Sequence, residues 1–466
     1  MKRWLAIAIL LGVAAASGGY FAFRKKPPPP PVDMTVFFTS DTRGRLVPCG
    51  CFSGQYGGLT RLKTVLQNDS SPNPIRADVG DAIRGAEDFN LVEYKYMLRA
   101  YAAMGYDALN MGQREAQLSA GQLRALKKQS PVALISANLL DKESGAPLFD
   151  PYKIVQRGRF RIALAGLVDP RGQSGNLGQG VAMENMEVTL GKLLPELKRK
   201  ADVIILLAFT DEATLSHLAD EFYELDMVLG GKVSQPSQKL ERENRSLILY
   251  TANEGRALGI LKARISGPAT VEATGHEIVL LHDQIPENEG IRALAEEYRN
   301  EVRSAKLSID DPAQLQENMV PGVKAAATYA GSQSCAACHA TAAKSWQDSR
   351  HSDAMAALVN KKADADPNCL ACHTVGFGSP SGYRREFAGK RLTDVGCESC
   401  HGAGSLHVEQ RQKGMPVTFT FRPLGAGDCQ KCHFGEFSRP FDWNRFWPHV
   451  QHGKEPVRTA ATKGKQ

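Results

Sequence analysis

Residues 395–407 read VGCESCHGAGSLH, and the spacing inside this stretch organises the whole chain. Cys397 and Cys400 are followed directly by His401, and the same C-x-x-C-H pattern recurs at Cys335, Cys338 and His339, at Cys369, Cys372 and His373, and at Cys429, Cys432 and His433. This pentapeptide is an attachment site for c-type haem. Two thiols hold the haem vinyl groups as thioethers, and the adjoining histidine reaches the iron as proximal ligand. One copy also suits chance or a zinc site. Four in succession, using eight of the chain's ten cysteines, point to four c-type haems.

Each iron then needs a second ligand, and histidine or methionine there makes a six-coordinate centre suited to electron transfer. Only three histidines, His217, His276 and His282, precede residue 335, whereas His351, His407, His449 and His452 are clustered among the haem segments. The clustering marks these four as candidate distal ligands, with Met355 and Met415 as weaker ones. Four six-coordinate haems would form a relay. A five-coordinate haem would make a reductase of a small nitrogen or oxygen species the alternative.

The stretch from Gly331 to Lys454 resembles the tetrahaem cytochrome c that accepts electrons in hydroxylamine oxidation. SWQDSRH, with Trp346, Ser349 and His351, resembles that family's W-x-x-S-x-H segment, and VGCESCHGAGSLH resembles its C-E-S-C-H-G-x-G-x-x-H. FWPHVQHG resembles its terminal W-P-x-x-x-H motif. The resemblance implies distal roles for His351, His407 and His452 and leaves His449 without a counterpart. Three such histidines for four irons would repeat the family's one five-coordinate haem, unless His449 closes the gap.

Upstream, the pattern changes. Short apolar runs at 35–39, 75–79, 132–137, 160–168, 203–209, 227–229 and 246–250 alternate with helical spacing at 91–104 and 190–199, the signature of an α/β domain with a largely buried sheet. Asp41 and Asp81 fall at the C-terminal ends of strands, where open α/β sheets place their sites. This region resembles the calcineurin-like metallophosphoesterases, and more narrowly the periplasmic 5'-nucleotidases. The matching blocks are SDTRG, VGDAIRG and GYDALNMGQRE, with ISANLL, ADVIILLAF and LDMVLGG further on. The fold implied is a layered α/β sandwich followed by a mostly helical and irregular tetrahaem region.

The family's two-metal chemistry is not implied with the fold, because the ligand positions are replaced. Arg43 stands where the first block has histidine, Gln113 where a metal-binding asparagine belongs, and Arg114 where a histidine protonates the leaving group. Phe209, Lys232 and Ser234 occupy later histidine positions. A two-metal clamp works through fixed charges, which this set does not hold, so a degenerate, non-catalytic site with no second metal is expected. Arg43, Arg114 and Lys232 are expected to fill the metals' space and pair with Asp41 and Asp81. A residual metal-dependent phosphoesterase remains a further alternative. Cys49 and Cys51, in PCGC on the adjoining loop, are open to four readings: a strained disulfide, a soft-metal site, a redox contact with the haems, or a site whose target is a sulfur compound.

The N-terminus, MKR followed by an apolar run through Phe23, reads as a signal peptide or an uncleaved membrane anchor. Covalent c-type haem is assembled outside the cytoplasmic membrane in bacteria, so a periplasmic location is expected, with membrane contact if the segment is retained. The expected organisation is 1–26 signal or anchor, 27–33 proline-rich spacer, 34–285 nucleotidase-like domain, 286–328 helical connector and linker, 329–455 tetrahaem domain and 456–466 basic tail. The formal net charge of +7 omits two propionates per haem, and basic residues are dispersed, so nucleic acid is excluded as a partner. Redox proteins, other cytochromes or a membrane quinol-linked complex, fit instead.

Overall fold

The computed structural model describes residues 29–48, 55–172, 176–251, 254–311, 327–385, 391–417, 423–433 and 441–453. The readings made on the N-terminal 1–26, on Cys49 and Cys51, on most of the linker and on the basic tail lie outside these residues. Among the described residues no helix is long and apolar enough to cross a membrane.

In the first sheet β1 (Val32–Thr39), β2 (Pro74–Asp78), β3 (Ala108–Asn110) and β4 (Leu134–Ile135) run parallel. The short β5 (Leu139–Asp141) pairs aside from it with β8 (Val181–Met183). The second sheet is built from β6 (Tyr152–Arg157), β7 (Phe160–Val168), β9 (Val203–Phe209), β10 (Met227–Gly230), β11 (Glu241–Glu243) and β12 (Ser246–Tyr250), in the order β11-β12-β10-β9-β7-β6. The chain then returns to the first sheet as the antiparallel hairpin β13 (Ala257–Gly267) and β14 (Thr270–Leu280), with β13 against β1. The apolar run expected at 132–137 is a strand only over Leu134–Ile135. Pairing there is confined to two positions of β3, and Val132 packs beside it outside the ladder.

Side-chain alternation stacks the layers. In β9, Val203, Ile205, Leu207 and Phe209 enter the core between the sheets, while Ile204, Leu206 and Ala208 meet the helices outside. All seven residues are buried, which is why the strand reads as one continuous apolar run. Burying each of these larger side chains is worth about 1.5–3 kcal/mol. The first sheet is covered by α1 (Leu59–Gln67), α2 (Asp88–Ala103) and α3 (Ala120–Gln129), the second by α4 (Met186–Lys200) and α5 (Glu212–Glu221).

The connector helix α6 (Glu289–Ser304) buries Ile291, Ala295, Tyr298 and Val302 against α1 and α2, an apolar stripe at the spacing its sequence shows. It also meets the C-terminal region: the Tyr298 hydroxyl donates to Asp366 at 3.0 Å. Arg385 extends the junction, donating to Asp310 and to the carbonyls of Val302 and Ala305. The connector therefore joins both regions and does not pack on one alone. Beyond it the chain forms short helices separated by turns, with one small apolar cluster around Leu358, Ala363, Leu370 and Tyr383.

Candidate functional site

All four C-x-x-C-H segments face inward. Their eight cysteines, together with His339, His351, His373, His401, His407, His433, His449 and His452, line one cavity of ≈ 3120 Å³. A small-molecule pocket is typically about 300–1,000 Å³, so this space suits several prosthetic groups. Cys335 lies within hydrogen-bond reach of Cys397, and Cys372 of Cys432, which brings the first segment beside the third and the second beside the fourth.

Three histidine rings face three others. His339 and His407 have centroids 6.3 Å apart, His351 and His433 6.0 Å, and His401 and His452 5.9 Å. Two imidazoles sharing an iron, each nitrogen about 2 Å from the metal, put ring centres on the order of 6 Å apart. In each pair one ring follows a C-x-x-C and the other comes from elsewhere, so the residues fit six-coordinate haem. His373 differs. Its Nδ1 lies 2.7 Å from the carbonyl of Ala354, which can only accept, so Nδ1 carries the proton and Nε2 is left for a metal. No ring pairs with His373 among the described residues. His449 lines the cavity from the turn Trp447–His449 without facing His373. Met355 packs against the small apolar cluster, and Met415 is half exposed.

Buried polar contacts hold these rings in place. Glu398 sits between the two thiols of the third segment and accepts hydrogen bonds from the backbone N–H groups of Ala330, Gly331 and Gly404, fastening the first segment to the third. Nothing in the pentapeptide spacing announces that role. Trp346 donates its indole N–H to the Val395 carbonyl at 2.8 Å, which fixes the segment carrying His351.

The α/β domain presents its own cluster to the same cavity, at the ends of β1 and β2. Asp41, Arg43, Asp81 and Glu254 all have left-handed backbone, with φ of 53°, 44°, 58° and 53°. Such conformations cost about 1–3 kcal/mol each and concentrate at sites. Gly112 permits the close approach, since a Cβ there would meet Asp81 at 2.2 Å. Arg43 donates to Asp41 at 2.6 Å and to Glu254 at 2.5 Å, and Glu254 also holds the buried Arg45. Arg114 pairs with Asp81 at 3.5 Å and donates to the Arg84 carbonyl. Gln113 turns its amide to the carbonyl of Asp169. Burial raises the Asp41 carboxyl against the pull of Arg43. Burial and then the nearby Glu115 raise Asp81 further.

Two of the expected pairings are present, Arg43 with Asp41 and Arg114 with Asp81. The third is corrected: Lys232 lies 3.6 Å from Asp169, not from either of those aspartates. Asp169 follows β7 directly and also pairs with Arg171, a position that its place at a strand end could have flagged. Phe209, at the end of β9, belongs to the core between the sheets. Glu254 reaches the cluster from a distant loop and carries no local signature, whereas Glu115 adjoins Arg114 as the last residue of the GYDALNMGQRE block.

Comparison with known proteins divides the chain at the same place. Residues 334–402 match the family model described as cytochrome c554 and c-prime. Cytochrome c-554 of Nitrosomonas europaea is 40% identical over 105 residues, 19% of this chain and 45% of that protein. The 5'-nucleotidase of Vibrio cholerae is 26% identical over 237 residues, 44% of this chain and 40% of that protein. Among solved structures, the 5'-nucleotidase precursor from Thermus thermophilus overlays with a TM-score of 0.51 at 21% identity, over 58% of this chain and 59% of that one. The chain thus spans less than half the length of these curated relatives. It joins a cytochrome-like region of c-type haem character to an α/β domain with the 5'-nucleotidase fold.

Proposed function

We propose that this fusion is an exported multihaem cytochrome that relays electrons through four covalently bound haems, with its 5'-nucleotidase-like domain serving as a non-catalytic scaffold. The observation that carries this reading is the facing of three histidine pairs about one cavity that all four attachment segments line. His339 with His407, His401 with His452 and His433 with His351 would each hold one haem iron, and His373 would hold the remaining one. When bound, each haem supplies a one-electron iron couple whose potential depends on its ligands, burial and neighbouring charge. The protein's part is to fix ring orientation and to keep the groups close. The contact of Cys335 with Cys397 and of Cys372 with Cys432 supports two adjacent haem pairs.

The scaffold role rests on the arginines. Asp41 and Asp81, the two aspartates left from the family's ligand set, are engaged by Arg43 and Arg114. The location proposed is outside the cytoplasmic membrane, and the partners are redox proteins that need only small interfaces. One observation favours a second reading. No ring faces His373 among the described residues, so a small-molecule reductase at that haem is the alternative.

Electron paramagnetic resonance of the oxidised holoprotein, with haem quantified on the same sample, separates the two. Four haems per chain with no response to nitric oxide or nitrite is the result expected for a relay. A high-spin signal that responds would replace the relay with a reductase. Turnover of a nucleotide or a chromogenic phosphate ester with bound metal would overturn the scaffold role.

A further inference from the structure

The old catalytic mouth and the haem cavity are one space. Arg43, Arg84 and Arg114 are the cations that the α/β domain contributes to the cavity lining among the described residues, opposite the cysteines and histidines. Each guanidinium offers five N–H donors in a rigid fork matched to a carboxylate or oxoanion. Arg43 spends Nε on Asp41 and Nη1 on Glu254; Arg114 spends Nη1 on the Arg84 carbonyl, and its Nε lies 3.5 Å from Asp81 without a hydrogen bond. The Nη2 group of both is without a hydrogen bond among the described residues. Burial pushes the carboxyls of Asp41, Asp81 and Glu93 upward, the last to about 7. Arginine stays charged in any environment. The two Nη2 groups are therefore permanently cationic donors at the mouth.

The neighbouring haem segment can be named. Asp366 caps the helix Pro367–His373, which carries Cys369 and Cys372, and accepts the Tyr298 hydroxyl. Its carboxylate is close enough to act electrostatically on Glu93, which binds Arg84 at 3.1 Å, and Arg114 donates to the Arg84 carbonyl. The cap of the second attachment segment thus lies within electrostatic range of the group formed by Glu93, Arg84 and Arg114.

We propose that Arg43 and Arg114 form a carboxylate clamp at the cavity wall, built on the former phosphoesterase site, that holds a propionate of the haem attached at Cys369 and Cys372. This rests on the haem reading above. A tethered propionate has the advantage over a free oxoanion of the same chemistry, because attachment raises its effective concentration to about the millimolar range. Arginine at the first-block histidine position, Arg43, and at the position of the leaving-group acid, Arg114, then makes a hydrolytic site part of a haem pocket. The α/β domain acquires a reason to be fused to the cytochrome: it tunes one of its haems.

The test uses the full-length holoprotein with Arg43→Gln, Arg114→Gln, the double variant, and Arg114→Lys as the change least disruptive to folding. A cation beside a haem disfavours the extra positive charge of the ferric state, so its removal lowers the midpoint potential. In a spectroelectrochemical titration, one haem of four should shift negative in each glutamine variant and further in the double. Arg114→Lys, which keeps charge but loses the fork, should shift the same haem less. Four haems per chain with all potentials unchanged in the lysine and glutamine variants would overturn the clamp and leave the tetrahaem reading intact. A haem content other than four would instead overturn that reading. Inorganic phosphate and nitrite form the remaining arm. Saturable binding to the wild-type protein that the double variant loses would assign the arginines to a free oxoanion and overturn the propionate as occupant; no such binding supports it.

Discussion

The two halves of this protein are held together by different physics. Between β1 and α6, three apolar clusters fill the space on both faces of two sheets. Between residues 327 and 453, the described residues bury one cluster of four, Leu358, Ala363, Leu370 and Tyr383, around a cavity of ≈ 3120 Å³. The first half builds a core from its own side chains, whereas the second wraps a space that its prosthetic groups must fill. Short helices such as Cys397–His401 and Ala426–Cys429 have too few turns to be stable alone.

The largest expected effect follows directly. If all eight attachment cysteines are changed to serine, the C-terminal region should lose its fold and become open to limited proteolysis. The α/β domain should keep a cooperative unfolding transition by circular dichroism. A protease-resistant C-terminal region in that haem-free chain would erase the contrast.

A smaller effect probes the junction. The Arg385 side chain is 9% exposed and donates to Asp310 at 3.0 Å and to the carbonyls of Val302 at 2.7 Å and Ala305 at 3.0 Å. Arg385→Gln leaves Asp310 and those carbonyls short of donors, a loss of about 3–5 kcal/mol for breaking a buried pair. Denaturant unfolding followed at the Soret band and in the far ultraviolet should separate into two transitions. A single unchanged transition would mean that the halves are coupled elsewhere.

The smallest effect lies inside the α/β domain. Asp78 is wholly buried and accepts from Thr39, Tyr101 and the Gly80 backbone; burial raises its carboxyl from 3.8 to about 7. A carboxyl raised on folding binds its proton more tightly in the folded state. Its contribution to stability is therefore fully present below about pH 4 and lost as the pH rises towards 7. Asp78→Asn should flatten thermal stability across that window, leaving the C-terminal region untouched. An unaltered slope would place the titration in Glu93 or Asp226, which burial also raises, to about 7 and about 6.

The same contrast explains what could be read in advance. Strands β7, β9 and β12 were legible because both faces are buried nearly throughout, so each is a largely apolar run, with Arg161 the one exposed position in β7. The hairpin β13–β14 escaped, since β14 faces solvent along much of its length and reads as polar. The replaced ligand positions Arg43, Gln113 and Arg114 were visible from block matching, and so was the pairing of two arginines with the two aspartates. Glu254 was not, because it joins the cluster from a loop far away in the chain, whereas Asp169 carried a signal in its place at the end of β7.

Haem attachment is a local matter: two thiols and a histidine within five residues do the chemistry, so each C-x-x-C-H announces itself wherever it falls. The α/β layering is nearly as local, since it follows from period and burial along single strands. The tertiary structure alone decided which histidine faces which, that His373 is left without a facing ring among the described residues, and that the mouth of the α/β domain opens into the haem cavity. These relations join residues tens to hundreds of positions apart. Their energies depend on distance, burial and the sign of a neighbour's charge, and no pattern along the chain encodes them.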